Sequence, residues 1–246
     1  SMLIDRDAWI SVLYNSDDFL AAGLPVDVRW NSHMSAGFNE WVDPRTDEMG
    51  EGKAYFEHNV EEALKMLSAA GYDKSRGPAV SHFYQTNSLI YIPRNEILNG
   101  MLSEGFNTDF RVLDYQTEWR EVCQRSTGKA FNGFCYNTSS GFNAENYLTS
   151  VYTPEGKFRM SSEPIPGITD LTRRIKTEID PERQTALIKD LQRELAVQMP
   201  NIHMPGYTSP FTLHWPWLEN YGVFSNTLPS ARLYAYYWYN PDKHNR

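Results

Sequence analysis

The residues best suited to hold a ligand stand together as Phe131-Asn132-Gly133-Phe134-Cys135-Tyr136-Asn137-Thr138-Ser139-Ser140-Gly141. The run Phe131 to Tyr136 reads as a strand. It ends on two aromatics, Phe134 and Tyr136, and is followed by four short polar side chains and a glycine. Open parallel sheets bind ligands just outside the carboxyl ends of their strands. An apolar wall beside hydrogen-bonding groups is the composition that orients a small molecule there. The same residues also make an ordinary strand-to-loop turn, in which Asn, Ser and Gly serve the backbone. Composition alone leaves both readings standing.

Other candidates for chemistry are weaker. The sequence has no Gly-rich phosphate loop, nucleophile elbow or paired-His zinc helix. Cys135 ends a strand, a place where nucleophiles sit, but free cysteines are also among the most buried residue types. Glu118 and Glu121 form a carboxylate pair at i, i+3, the spacing of a solvated helix face. His33-Met34 and His203-Met204 offer nitrogen and sulfur donors to a soft transition metal, with ordinary packed histidines as the simpler reading. Cys123 and Cys135 are too few for a disulfide framework or a structural zinc site, and a single disulfide between them is left open. No metal or cofactor is expected.

Composition narrows the class. The chain has 246 residues, 41% apolar and 22% charged, enough to bury the core of one large domain or two small ones. Its net charge of −8 argues against a nucleic-acid or anionic-membrane surface, which needs a positive footprint. No apolar run approaches the roughly 20 residues of a membrane span, and the mean hydropathy is −0.56. Aromatics are plentiful, at 14% of the chain. Such residues serve cores, interfaces and stacking sites alike.

The elements that must position these residues follow from periodicity. Ser1-Met2 reads as a remnant of tag cleavage. A helix is expected at once from Leu3 to Tyr14, with Ile4, Trp9, Val12 and Leu13 on one face, and so abrupt a start implies a cut from something longer. Residues 15–58 show no sustained period, yet carry Trp30, Phe38 and Trp41, so this connection is expected to be functional or to cover a neighbouring part. Asn59 caps a helix with a stripe of Val60, Ala63, Leu64, Leu67 and Ala70, closed by Gly71. Strands at Ala79–Tyr84, Asp109–Leu113 and Phe131–Tyr136 alternate with helices at Pro93–Glu104 and Thr117–Arg125. That alternation is the pattern of a parallel α/β sheet. A short helix is expected at Ala144–Ser150. A longer one carries Ile168, Leu171, Ile175 and Ile179, and another, capped by Asp180 and stopped by Pro200, carries Leu187, Ile188, Leu191 and Leu195. Beyond Asn201, short strands and loops are expected.

The order of these features resembles a known family. Ile4-Asp5-Arg6-Asp7 precedes a long loop and then Val60-Glu61-Glu62-Ala63-Leu64-Lys65-Met66-Leu67-Ser68-Ala69-Ala70-Gly71-Tyr72. Trp119, the Gly133-Phe134 strand, the paired helices and Met199-Pro200-Asn201-Ile202 follow. From residue 4 to about 239 the chain resembles the carboxyl-terminal portion of the family 5 extracellular solute-binding proteins, the dipeptide- and oligopeptide-binding components of ABC importers. The resemblance implies an α/β, type II periplasmic-binding-protein-like lobe with a parallel-rich sheet flanked by helices, plus an irregular C-terminal tail. It implies a lobe over 3–215 and, over 216–246, a tail returning toward an N-terminal lobe that is missing here.

The implied function is non-catalytic. The chain would bind a peptide or other small organic solute between two lobes and work with an ABC transporter permease in the periplasm or another extracytoplasmic space, lipid-anchored or free. Phe134 and Tyr136 would form the apolar wall, Asn137, Thr138 and Ser139 the polar clamp, and Trp119 would match a family aromatic preceding the binding strand, or else pack a helix face. Gly133-Phe134 stands where the family has Gly-Trp, and Asn137 where it has an Asp that pairs with a peptide's amino terminus. A neutral amide cannot make that charge-assisted bond. Peptides held otherwise, oligosaccharides stacked on aromatics and other organic solutes all fit. The alternatives are a stand-alone hydrolase using Cys135, and an interaction module presenting the Trp-bearing 15–58 stretch and the aromatic tail.

Overall fold

The computed structural model describes residues 1–14, 18, 21–23, 26–74, 79–85, 91–125, 133–136, 141, 143–159, 161, 163–205, 207–208, 215–220 and 237–243. Two compact units are present, Ser1–Thr208 and Ser209–Arg246. The first runs α1 (Arg6–Tyr14), β1 (Val26–Asp27), a 3-10 segment (Asp47–Phe56), α2 (Val60–Ala69), β2 (Ala79–Gln85), α3 (Tyr91–Leu102) and β3 (Thr108–Asp114). It continues through a π-type helix (Tyr115–Arg125), β4 (Gly133–Cys135), α4 (Ala144–Tyr152), α5 (Ile168–Thr177), α6 (Pro181–Gln198) and β5 (Tyr207–Thr208). In the second unit β6 (Leu218–Glu219) and β7 (Trp238–Tyr239) pair antiparallel. Its Trp215 and Trp217 rings stack at 4.8 Å.

The alternating strands and helices form the parallel sheet that the sequence predicts. The order is β3-β2-β4, with Gln85 opposite Asp114 and His82 opposite Cys135. Caps set the helix starts: Asn59 Oδ1 accepts the Glu62 amide at 3.0 Å, and Asp180 Oδ1 accepts the Arg183 amide at 2.9 Å. The helix after β3 starts two residues earlier than expected, because the Asp114 side chain caps it from the strand's last residue.

Helices α4, α5 and α6 bury the largest core, including Leu148, Val151, Ile168, Ile175, Leu191 and Leu195. Full burial of each such side chain is worth about 1.5–3 kcal/mol. Two expected stripes are narrower than the sequence implied. Ile179 is 91% exposed, because α5 ends at Thr177 and Glu178 is already extended. Val12 is 65% exposed: α1 starts at Arg6, buries Arg6 and Trp9, and leaves Val12 about 120° round the helix from Arg6. Leu64 likewise faces outward on α2, which packs through Val60 and Ala63 onto Met2 and Leu3.

The stretch without periodicity is held from outside. Gln192 of α6 is fully buried, and its amide meets four partners. Oε1 accepts from Ser32 Oγ at 2.8 Å and from the Val42 amide at 3.0 Å. Nε2 donates to the Glu40 carbonyl at 2.8 Å and to the Ile188 carbonyl at 3.3 Å. Farther along, the 3-10 segment lies so close to α6 that a Cβ on Gly52 would stand 2.3 Å from Ala196 Cβ and 2.9 Å from its carbonyl carbon. Only a glycine fits there. Trp30 donates to Asp7 at 3.1 Å and Trp41 to the Trp30 carbonyl at 3.2 Å, with Arg45 over the Trp30 ring and Arg29 over Trp41. Trp30 thus ties the stretch to α1, and Trp41 ties it to itself.

Replacing Gln192 by Leu orphans the buried Val42 amide and Ser32 hydroxyl. Such losses cost about 1–3 kcal/mol per group, so urea unfolding should show a loss of about 3 kcal/mol. A loss under about 1 kcal/mol would mean that the stretch is held elsewhere.

Candidate functional site

Strand period fixes what β4 presents. Phe134 and Tyr136 share one face, and Cys135 faces the other way. Cys135 is bonded to Cys123 of the π-type helix, with Cα atoms 5.9 Å apart. That disulfide leaves Cys135 no thiol, which removes the cysteine-nucleophile alternative.

On the opposite face Phe134 is half-buried and meets Phe106 edge to face at 4.8 Å, and Phe106 in turn meets Tyr72 at 5.0 Å. Tyr136, also half-buried, lies 6.5 Å from Trp9. The Trp9 indole donates to the Pro205 carbonyl at 3.1 Å, so one wall residue is seated against a fixed ring. Trp119 is 1% exposed and stacks on Tyr115 at 5.6 Å. It sits four residues before Cys123, so the disulfide ties its helix to the strand bearing Phe134 and Tyr136. Asn137, Thr138 and Ser139 lie outside the described residues.

The polar span is anchored where it leaves as well as where it enters. A Cβ on Gly141 would stand 2.7 Å from the Tyr147 backbone in α4, so a glycine is required at that point too. At the same end of the sheet, Asp114 accepts from the amides of Gln116 and Thr117 at 3.1 and 2.9 Å and from Thr117 Oγ1 at 2.8 Å. These bonds, those from Thr117 first, hold its carboxyl below the usual carboxylate range. Glu118 Oε2 accepts the Asp114 amide at 3.0 Å, a reciprocal cap. Both carboxylates are committed to opening the helix.

Among the described residues, no group of three or more His, Cys, Asp or Glu side chains is placed to hold a metal. No helix among them is long and apolar enough to cross a membrane. His33 and His203, far apart in sequence, have ring centroids 5.8 Å apart. That pairing had no signal in the sequence beyond the two His-Met dipeptides. The roles of Trp9 and Phe106 were equally silent, whereas period-2 alternation and two cysteines 12 residues apart were visible signs of the stapled strand.

No family model matches the sequence, and no curated protein matches it. Solved structures do. Over 84% of this chain and 39% of its own, an ABC-transporter substrate-binding protein, CtaP of Listeria monocytogenes, matches with a TM-score of 0.63 at 16% identity. NikA of Staphylococcus aureus, solved in complex with Ni(L-His)2, matches over 90% of this chain and 43% of its own, with a TM-score of 0.64 at 13% identity. DppA of Helicobacter pylori, a periplasmic binding protein in complex with the peptide STSA, matches over 83% and 37%, with a TM-score of 0.57 at 15% identity. The chain thus spans about two-fifths of the length of these structures. Over most of its length it has the fold of the family 5 ABC solute-binding proteins, a type II periplasmic-binding-protein-like arrangement of parallel sheet and flanking helices.

Proposed function

We propose that this chain is a solute-binding lobe of an ABC importer's substrate-binding protein, acting outside the cytoplasm without catalysis. The observation that carries the reading is the fold match over 84–90% of the chain, with an aromatic pair at the carboxyl end of a parallel strand in that fold. Residues 3–215 form the lobe and 216–246 a tail returning toward a second lobe, which supplies the other half of the pocket. Phe134 and Tyr136 make the apolar wall, and Asn137, Thr138 and Ser139 hydrogen-bond the ligand. A peptide or another small organic solute fits such a wall-and-clamp pocket. With Asn137 at the clamp, the ligand is not held through a free amino terminus. Closure of the lobes buries the solute and presents the closed form to the permease.

The disulfide supports the location. Structural disulfides persist in oxidising compartments and are rare in the cytosol. Its loop of 12 residues is short, and chain entropy assigns such a crosslink about 3 kcal/mol. Reduction by dithiothreitol should therefore lower the unfolding free energy by roughly that amount. An unchanged midpoint would remove this support.

Calorimetric titration tests the binding role, with pools of dipeptides to tetrapeptides and, separately, oligosaccharides. The longer protein containing this chain should bind one pool with a Kd of about 1 μM or tighter. The 246-residue chain alone should bind it at least about 100-fold more weakly, having half the contacts. Tyr136→Ala in the longer protein should weaken binding about tenfold with the melting temperature little changed. Micromolar binding by the chain alone would overturn the two-lobe reading, and absence of binding to every pool would overturn the solute role.

A further inference from the structure

The helix between β3 and β4 is the least ordinary element of the first unit. Over Tyr115–Arg125 its backbone follows the wide π pattern, for 11 residues. Such helices are rare, mostly single turns, and frequent at functional sites. One this long has to be held from outside, and it is held at both ends. At its start Asp114 accepts the Gln116 and Thr117 amides, and Glu118 returns a bond to the Asp114 amide. Toward its far end Cys123 is bonded to Cys135 of β4. Between the two, Trp119 is buried and stacks on Tyr115.

Tyr115, Trp119 and Cys123 follow one another at intervals of four, and the two helix types read that spacing in opposite senses. An α-turn takes 3.6 residues, so every fourth residue drifts forward around the axis. With bonds from i to i+5 the turn takes more than four, and the same residues drift back. With the cap and Trp119 as fixed points, the rotation that brings Cys123 to β4 belongs to the wide form. Relaxation to α bonding would swing its Sγ around the helix, away from Cys135.

The strand across the bond has few other ties. Among the described residues β4 is three residues long and pairs with β2 through Gly133, Phe134 and Cys135. Cys135 stands between Phe134 and Tyr136, so the bond fixes both rings through one backbone position. Both cysteines are half-buried, within reach of a thiol reagent. The chain has no third cysteine with which they could exchange, so their state is set by an outside thiol.

We propose that the Cys123–Cys135 bond is a redox-sensitive register lock. It holds Tyr115–Arg125 in the wide form and thereby fixes Phe134 and Tyr136, and its reduction releases both. The co-reactant is a dithiol. One of its thiolates attacks a sulfur of the bond, and the other cysteine leaves as a thiolate that takes up a proton. The second thiol of the reagent then resolves the mixed disulfide. Two electrons and two protons pass to Cys123 and Cys135, and the dithiol ends as a disulfide. Once the bond has parted, the helix adopts i to i+4 bonding about Trp119, and β4 keeps only its ladder to β2.

Hydrogen exchange on the chain, oxidised against reduced by dithiothreitol, tests the lock without any solute. Reduction lowers overall stability, and α5 and α6 share in that loss. Protection at 116–125 and 133–136 should fall by at least about a further tenfold relative to α5 and α6, the mark of a local opening. Reoxidation should restore the original pattern. The double variant Cys123→Ser, Cys135→Ser should show the loosened pattern with no reductant present, and the reduced native chain gives the same reading if that variant fails to fold. A bond that dithiothreitol leaves intact in the folded chain would overturn the lock. So would unchanged protection at 116–125 after reduction, or an equal loss across all helices.

Discussion

The architecture depends on one side-chain amide. The chain from Trp30 to Phe56 has no hydrophobic period to fold by, and its only regular element is a 3-10 segment. Gln192, from the buried face of a well-formed helix, meets it with two acceptor contacts and one donor contact, its other donor bond going to Ile188 of its own helix. A buried amide is costly unless all its bonds are made, so these three contacts accept one path of the chain and reject others. Val42, Met49 and Phe56 then gather around Ala196 of the same helix. Local order is thus imported from α6, which earned its own from a cap, a proline and an apolar stripe.

Polar burial recurs at the other meeting point of the first unit. Around Arg6, His33, Asn201 and His203 the fold uses carbonyls, phenols and aromatic faces in place of carboxylates. Such a junction is specific in geometry and poor in electrostatic reserve. It contrasts with the surface of α6, where Lys189 and Arg193 reach Glu48 in screened pairs worth little.

How much of this was legible varies with range along the chain. The caps at Asn59 and Asp180 and the stripe Ile188, Leu191 and Leu195 are local signals, and they appear as read. The strand alternation identified the parallel sheet because it too is local. Ile179 was misread because the repeat says nothing of where a helix ends, and Asp180-Pro181 ends this one early. Composition singled out Phe134 and Tyr136, but Trp9 beside Tyr136 is 127 residues away and carries no spacing to it. The histidine pair was hidden for the same reason. Contacts that span the chain are decided by the closed fold, which no window of sequence contains.

The two ends of the polar span deserve a last consequence. It enters beside a half-cystine and leaves at a glycine wedged on Tyr147, so the described residues on either side are fixed by a covalent bond and by a close backbone approach. A substitution at Cys135 or Gly141 therefore acts first on a helix, the one that carries Trp119 or α4, rather than on the chain beside it.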